Sequence, residues 1–97
     1  MTCTVVLEVQ TQADQVDTVI GAFRDILGDT RAYDGCQSVE VVQNDDDPTV
    51  ITLIEKWDSR AKYETYFAWR QESGAVDALG QLLAGPPSLR YFNPVDA

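Results

Sequence analysis

Residues Tyr33 to Trp57 read YDGCQSVEVVQNDDDPTVITLIEKW. Two β-rich runs, Cys36 to Gln43 and Thr49 to Trp57, flank a polar segment, Asn44-Asp45-Asp46-Asp47-Pro48. β-Branched residues on either side of an acidic turn closed by proline predict a β-hairpin. A helical pattern precedes this hairpin and another follows it. The resulting order, strand–helix–strand–strand–helix–strand, predicts a small α/β sandwich, and it sets a tryptophan at a strand end next to an aromatic helix.

Working outward, Thr2 to Val9 forms the first expected strand, with Cys3, Val5, Leu7 and Val9 on one face and Thr4, Val6 and Glu8 on the other. The first helix has Thr11 or Asp14 as candidate N-cap and a stripe of Val16, Val19, Ile20, Phe23, Ile26 and Leu27. Asp14 and Asp17 suit its dipole, and its end is expected between Gly28 and Ala32. In the third strand Val50 and Ile54 face one way, and Ile51, Leu53 and Trp57 the other. A sheet with one wet face should alternate cleanly, so apolar residues on both faces imply helices over one face and a second subunit over the other. Asp58 or Ser59 caps a second helix running to about Glu72, whose stripe is Tyr63, Tyr66, Phe67 and Arg70. Ser73-Gly74 interrupts it, a short helical stretch carries Val76, Leu79, Leu82 and Leu83, and Gly85-Pro86-Pro87 stops it. The last strand is expected over Leu89 to Val95, at a sheet edge because Pro94 cannot donate to a ladder.

Ninety-seven residues make a single domain, residues 1–97. Such a chain buries only about 60–65% of its unfolded surface, which favours dimerisation as a way to bury more. A net charge of −9, with 7 basic residues scattered among 16 acidic ones, excludes phosphate-neutralising contact with nucleic acid and attraction to anionic membrane surfaces. No run approaches ~20 consecutive apolar residues, and no signal peptide is evident, so a cytoplasmic location is expected. Cys3 and Cys36 lack zinc-ligand spacing and are read as small buried hydrophobes in a reducing compartment. No histidine is present, so no nucleophile–imidazole pair can form. The Asp45–Asp47 run lacks the alternating ligands of a calcium loop and reads as a solvated turn.

Tyr33-Asp34-Gly35-Cys36, Asp45 to Pro48, Glu55-Lys56-Trp57-Asp58-Ser59-Arg60 and Leu82-Leu83-Ala84-Gly85-Pro86-Pro87, in that order and spacing, resemble the antibiotic biosynthesis monooxygenase family. The resemblance covers nearly the whole chain. It implies an α+β fold: a ferredoxin-like βαββαβ sandwich with a four-stranded antiparallel sheet, two copies forming a dimeric α/β barrel. It also implies a pocket between sheet and helices. Members of that family include oxygenases that act on quinols or polycyclic phenols without metal or flavin. Trp57 matches a strand-end Trp of the aromatic-oxidising members, and Tyr63 matches a Tyr six positions later. An Asn of those members is here Leu53, and the His nine positions after the Trp is here Tyr66. Without an axial imidazole the haem-degrading branch does not fit.

The resemblance and the aromatic stripe together point to a cofactor-independent monooxygenase, with no metal, acting on an aromatic, polyketide or quinone-like molecule. Trp57, Tyr63 and Tyr66 are the candidate catalytic residues: indole N–H and phenol groups can hold a carbonyl or phenolate against apolar walls. Phe67, Trp69, Arg70 and Tyr33 are the candidate substrate-binding residues, Arg70 as counter-charge to an anionic substrate. Each could equally serve packing. An in-facing carboxylate among Glu8, Glu40 and Glu55 could act as a base if desolvated. A non-catalytic binding protein on the same fold, or a non-redox isomerase or cyclase, are the alternatives.

Overall fold

The computed structural model describes residues 2–97. Its elements follow the order β1 (Cys3–Gln10), α1 (Val16–Ala32), β2 (Cys36–Gln43), β3 (Val50–Trp57), α2 (Arg60–Glu72), α3 (Ala75–Gly80) and β4 (Ser88–Phe92). The four strands form one antiparallel sheet in the order β2-β3-β1-β4, so β3 and β1 are central. This is the expected ferredoxin-like arrangement.

Residue parity along the strands decides which side chains meet the helices. Cys3, Val5 and Val9 of β1 and Ile51, Leu53, Glu55 and Trp57 of β3 are buried on the helix side. Helix α1 answers with Val19, Phe23 and Leu27, four residues apart, so one stripe lies along the sheet. Burying each of these side chains stabilises the fold by about 1.5–3 kcal/mol. Helix α2 is largely polar, and its buried face is Tyr63, Tyr66 and Arg70. The core therefore divides in two. An aliphatic half lies under α1, and an aromatic half around Trp57, Tyr63 and Tyr66 lies under α2.

Several boundaries differ from the sequence reading, each for a local reason. Neither Thr11 nor Asp14 caps α1. Thr11 stays extended, its amide bonded to the Thr49 carbonyl and its backbone bridged to Leu83, and the cap position is Gln15 without a side-chain bond. Ser59 caps α2 by accepting from the Lys62 amide. Leu82 and Leu83 fall beyond α3, where Leu83 is held by that bridge to Thr11 and packs in the core. Strand β4 stops at Phe92, just before Asn93-Pro94, where the missing proline N–H ends the ladder. As expected, β4 lies at an edge. Gly35, at φ 92°, turns the chain from α1 into β2 beneath the Lys62 side chain; a Cβ there would lie 2.7 Å from Lys62 Cβ.

Candidate functional site

A cavity of about 670 Å³ opens between the helix face of the sheet and the three helices. Its floor is the row Leu89–Leu7–Leu53, which are direct cross-strand partners, with Glu55 one step further along β3. Phe23 and Ile26 of α1 form one wall, and Tyr63, Tyr66, Phe67 and Arg70 of α2 form the other. Helix α3 and the segment after it close the end with Val76, Leu79 and Leu83. Such a volume, mostly apolar with few polar groups, is typical of a small-molecule site.

Glu55 is the polar centre of this cavity. It lies at 2% exposure between Val5 and Val39, its cross-strand partners, both buried. Burial raises its pKa from 4.5 to about 7, and a hydrogen bond from the Trp57 indole opposes the rise. Trp57 Nε1 donates to Glu55 Oε1 at 3.0 Å. These residues are two apart on one strand, so both point the same way. The other carboxylate oxygen makes no bond within the described residues. Glu55 is among the residues that line the cavity.

The same reasoning picks out two further groups. Tyr63 is almost fully buried and lines the cavity, yet its hydroxyl bonds to no described residue. Burial, then the neighbouring Glu55, hold this phenol well above its ordinary pKa, so it is a neutral donor. Arg70, 8% exposed, donates Nε to Tyr66 Oη at 2.9 Å and Nη2 to the Ile26 carbonyl and Thr30 Oγ1 at 2.8 and 2.9 Å. Its Nη1 is uncommitted. Tyr66 Oη and Thr30 Oγ1 are 2.7 Å apart and complete this knot.

The sequence-derived candidates thus fall into three layers. Tyr63, Tyr66, Phe67 and Arg70 line the cavity. Trp57 sits behind them, fully buried, with its indole N–H spent on Glu55. Tyr33 and Trp69 form an outer layer: their rings stack at 5.3 Å, and Tyr33 meets Tyr66 edge-on at 5.2 Å. The sequence reading left Glu55 undistinguished from Glu8 and Glu40. The signal was present, because Glu55 shares the parity of Ile51, Leu53 and Trp57, whereas Glu8 and Glu40 are exposed. The Asp45–Asp47 turn is closed on itself, Asn44 Oδ1 accepting from the Asp46 and Asp47 amides. Among the described residues no three His, Cys, Asp or Glu side chains group as metal ligands. No helix among them is long and apolar enough to cross a membrane.

Fold and cavity define a ferredoxin-like α+β protein with a largely apolar cavity in the sheet–helix layer. The sequence matches the antibiotic biosynthesis monooxygenase family over residues 2–80, and the chain belongs to that family. A comparison with curated proteins gave no match. Among solved structures, a protein of Mycobacterium tuberculosis superposes with a TM-score of 0.88 at 21% identity, covering 100% of this chain and 98% of that one. A conserved protein of Methanosarcina mazei gives 0.87 at 16% identity, covering 95% and 91%. A protein described as an antibiotic biosynthesis monooxygenase gives 0.86 at 18% identity, covering 97% and 99%. At these identities the likeness is one of fold.

Proposed function

We propose that this chain is a cofactor-independent monooxygenase acting on an aromatic, polyketide or quinone-like molecule with an acidic ring hydroxyl, and that Glu55 is its general base. The observation that carries this reading is a desolvated carboxylate, with a pKa raised to about 7, facing an apolar cavity. A base poised near neutral pH transfers protons efficiently. Glu55 takes the phenolic proton, and Tyr63 donates a hydrogen bond to the developing oxyanion. The electron-rich ring carbon forms a C–O bond with dioxygen. The peroxide then loses water to leave a quinone carbonyl. Phenol plus dioxygen gives quinone plus water, so the substrate supplies all the electrons. Leu53 and Phe23 keep bulk water from the intermediate.

The working unit in this reading is a cytoplasmic homodimer. Val6 and Ile54 are cross-strand partners on the sheet face turned away from the helices, and both remain partly exposed in the single chain. A second copy laid on that face would bury roughly 2,000 Å² or more in total, the size of an obligate interface. A monomeric mass in sedimentation at micromolar concentration excludes it.

The test of activity is dioxygen uptake with hydroxynaphthalenes and hydroquinones, with the quinone followed by absorbance. Uptake that is lost in Glu55→Gln supports the reading, and no uptake with any of them overturns it. The isomerase or cyclase reading shares the same base, since proton abstraction by Glu55 needs no dioxygen. Turnover that persists anaerobically would establish it instead. Quenching of Trp57 fluorescence by ligands, without turnover in either condition, would establish a binding protein.

A further inference from the structure

We infer that the cavity selects ligands carrying a carboxylate, seated against Arg70, so that the molecule it takes is an aromatic hydroxy acid with its ring hydroxyl towards Glu55. The hydroxyl end rests on the function proposed above; the carboxylate end does not.

Arg70 is a buried cation with no paired anion among the described residues. Its bonding partners are a phenol, a hydroxyl and a peptide carbonyl, all neutral. The ion pairs among the described residues, Arg60–Glu64 and Lys62–Asp34, lie elsewhere on the surface. The carboxylates on the cavity wall are Glu55, protonated below about pH 7, and Asp77, exposed on α3; neither is paired with Arg70. An uncompensated buried charge is costly, and the cost is relieved when a ligand brings the opposite charge.

A purely structural role leaves part of the side chain unexplained. Tying α1 to α2 uses Nε and Nη2. It does not use Nη1, which has no acceptor among the described residues. Outside the cavity the guanidinium is covered, its Cζ lying 4.5 Å above the Trp69 ring, and Tyr33 is stacked on that ring. Tyr33 and Trp69 thus cover one side of the guanidinium, and Arg70 also lines the cavity. The planar fork of arginine matches a carboxylate better than a point charge would. The chain as a whole carries −9 and repels anions at long range, so any anion preference must come from inside the cavity.

The test compares 6-hydroxy-2-naphthoate with its carboxamide, 6-hydroxy-2-naphthamide, by isothermal titration calorimetry on the intact protein. The wild type is expected to bind the carboxylate about tenfold or more tighter than the neutral amide. Arg70→Met is expected to bring the two affinities together, and Arg70→Lys to keep part of the preference. Equal affinities in the wild type overturn the inference, as does no carboxylate binding at millimolar concentration, or a preference that survives in folded Arg70→Met. Should Arg70→Met fail to fold by circular dichroism, the wild-type comparison decides alone. Oxidation of neutral phenols without carboxylate preference refutes this inference only. Carboxylate preference without dioxygen uptake refutes only the oxygenase reading.

Discussion

Replacing Glu55 by Gln should make the protein more stable and less active, with the gain in stability growing as pH rises. The folded chain holds a proton on Glu55 up to about pH 7, whereas the ordinary value is 4.5. Between those two values the folded state is protonated and the unfolded state is not, so stability is full below the lower value and is lost as pH rises through the upper. At about 1.4 kcal/mol per pKa unit, the loss amounts to about 3 kcal/mol above pH 7. Gln retains an oxygen to accept from the Trp57 indole, yet it never ionises. Measured by urea unfolding, Glu55→Gln should gain about 1 kcal/mol over the wild type at pH 5 and about 3 kcal/mol at pH 8. The difference between the two proteins isolates Glu55 from the other carboxylates. Turnover should rise through about pH 7 in the wild type and be absent in the variant. A stability difference that stays constant between pH 5 and pH 8 would refute a desolvated Glu55 and, with it, the assignment of the base.

Three further substitutions probe the surroundings. Trp57→Phe removes the donor that favours the Glu55 carboxylate, so the activity midpoint should move to higher pH, and stability should fall by about 1–3 kcal/mol from the lost packing. Tyr66→Phe leaves Arg70 Nε and Thr30 without their shared partner; urea unfolding should show a loss of about 1–3 kcal/mol, and a change within error would mean that water replaces the hydroxyl. Gly35→Ala, strained at φ 92° and 2.7 Å from Lys62 Cβ, should cost more than about 1 kcal/mol in thermal or urea melts while leaving the pH midpoint of turnover in place.

The hairpin, the order of elements along the chain and the faces of β1 and β3 were readable because period two and period 3.6 survive in the sequence wherever a face is buried. Helix α1 lost its predicted cap because Thr11 had a better use across the sheet, bonded to Thr49 and bridged to Leu83, a tertiary contact with no local trace. The stripe Tyr63, Tyr66, Phe67, Arg70 was legible as one face of α2, and the structure sets all four on the cavity wall. What each polar tip does was not legible. Whether the Trp57 N–H meets a ligand or Glu55, and which nitrogens of Arg70 are occupied, depends on partners 2 to 44 positions away. Glu55 was within reach of parity alone, but its weight comes from Val5 and Val39 on the neighbouring strands, which only the register reveals.

Glu55 stands on an inner strand between two hydrogen-bonded neighbours, and Lys56 is the residue next to it, exposed on the opposite face. Sliding β3 by a single residue would turn Ile51, Leu53 and Trp57 outward and thrust the Lys56 ammonium into the same compartment as the Arg70 guanidinium. Two cations would then share a dry space with no counter-ion, a costly arrangement unless the lysine gives up its proton. Misalignment of the sheet and loss of the acid are thus one event. Preparations of this protein should divide into molecules that are both folded and competent and molecules that are neither, with no well-folded but inactive population arising from a shifted strand.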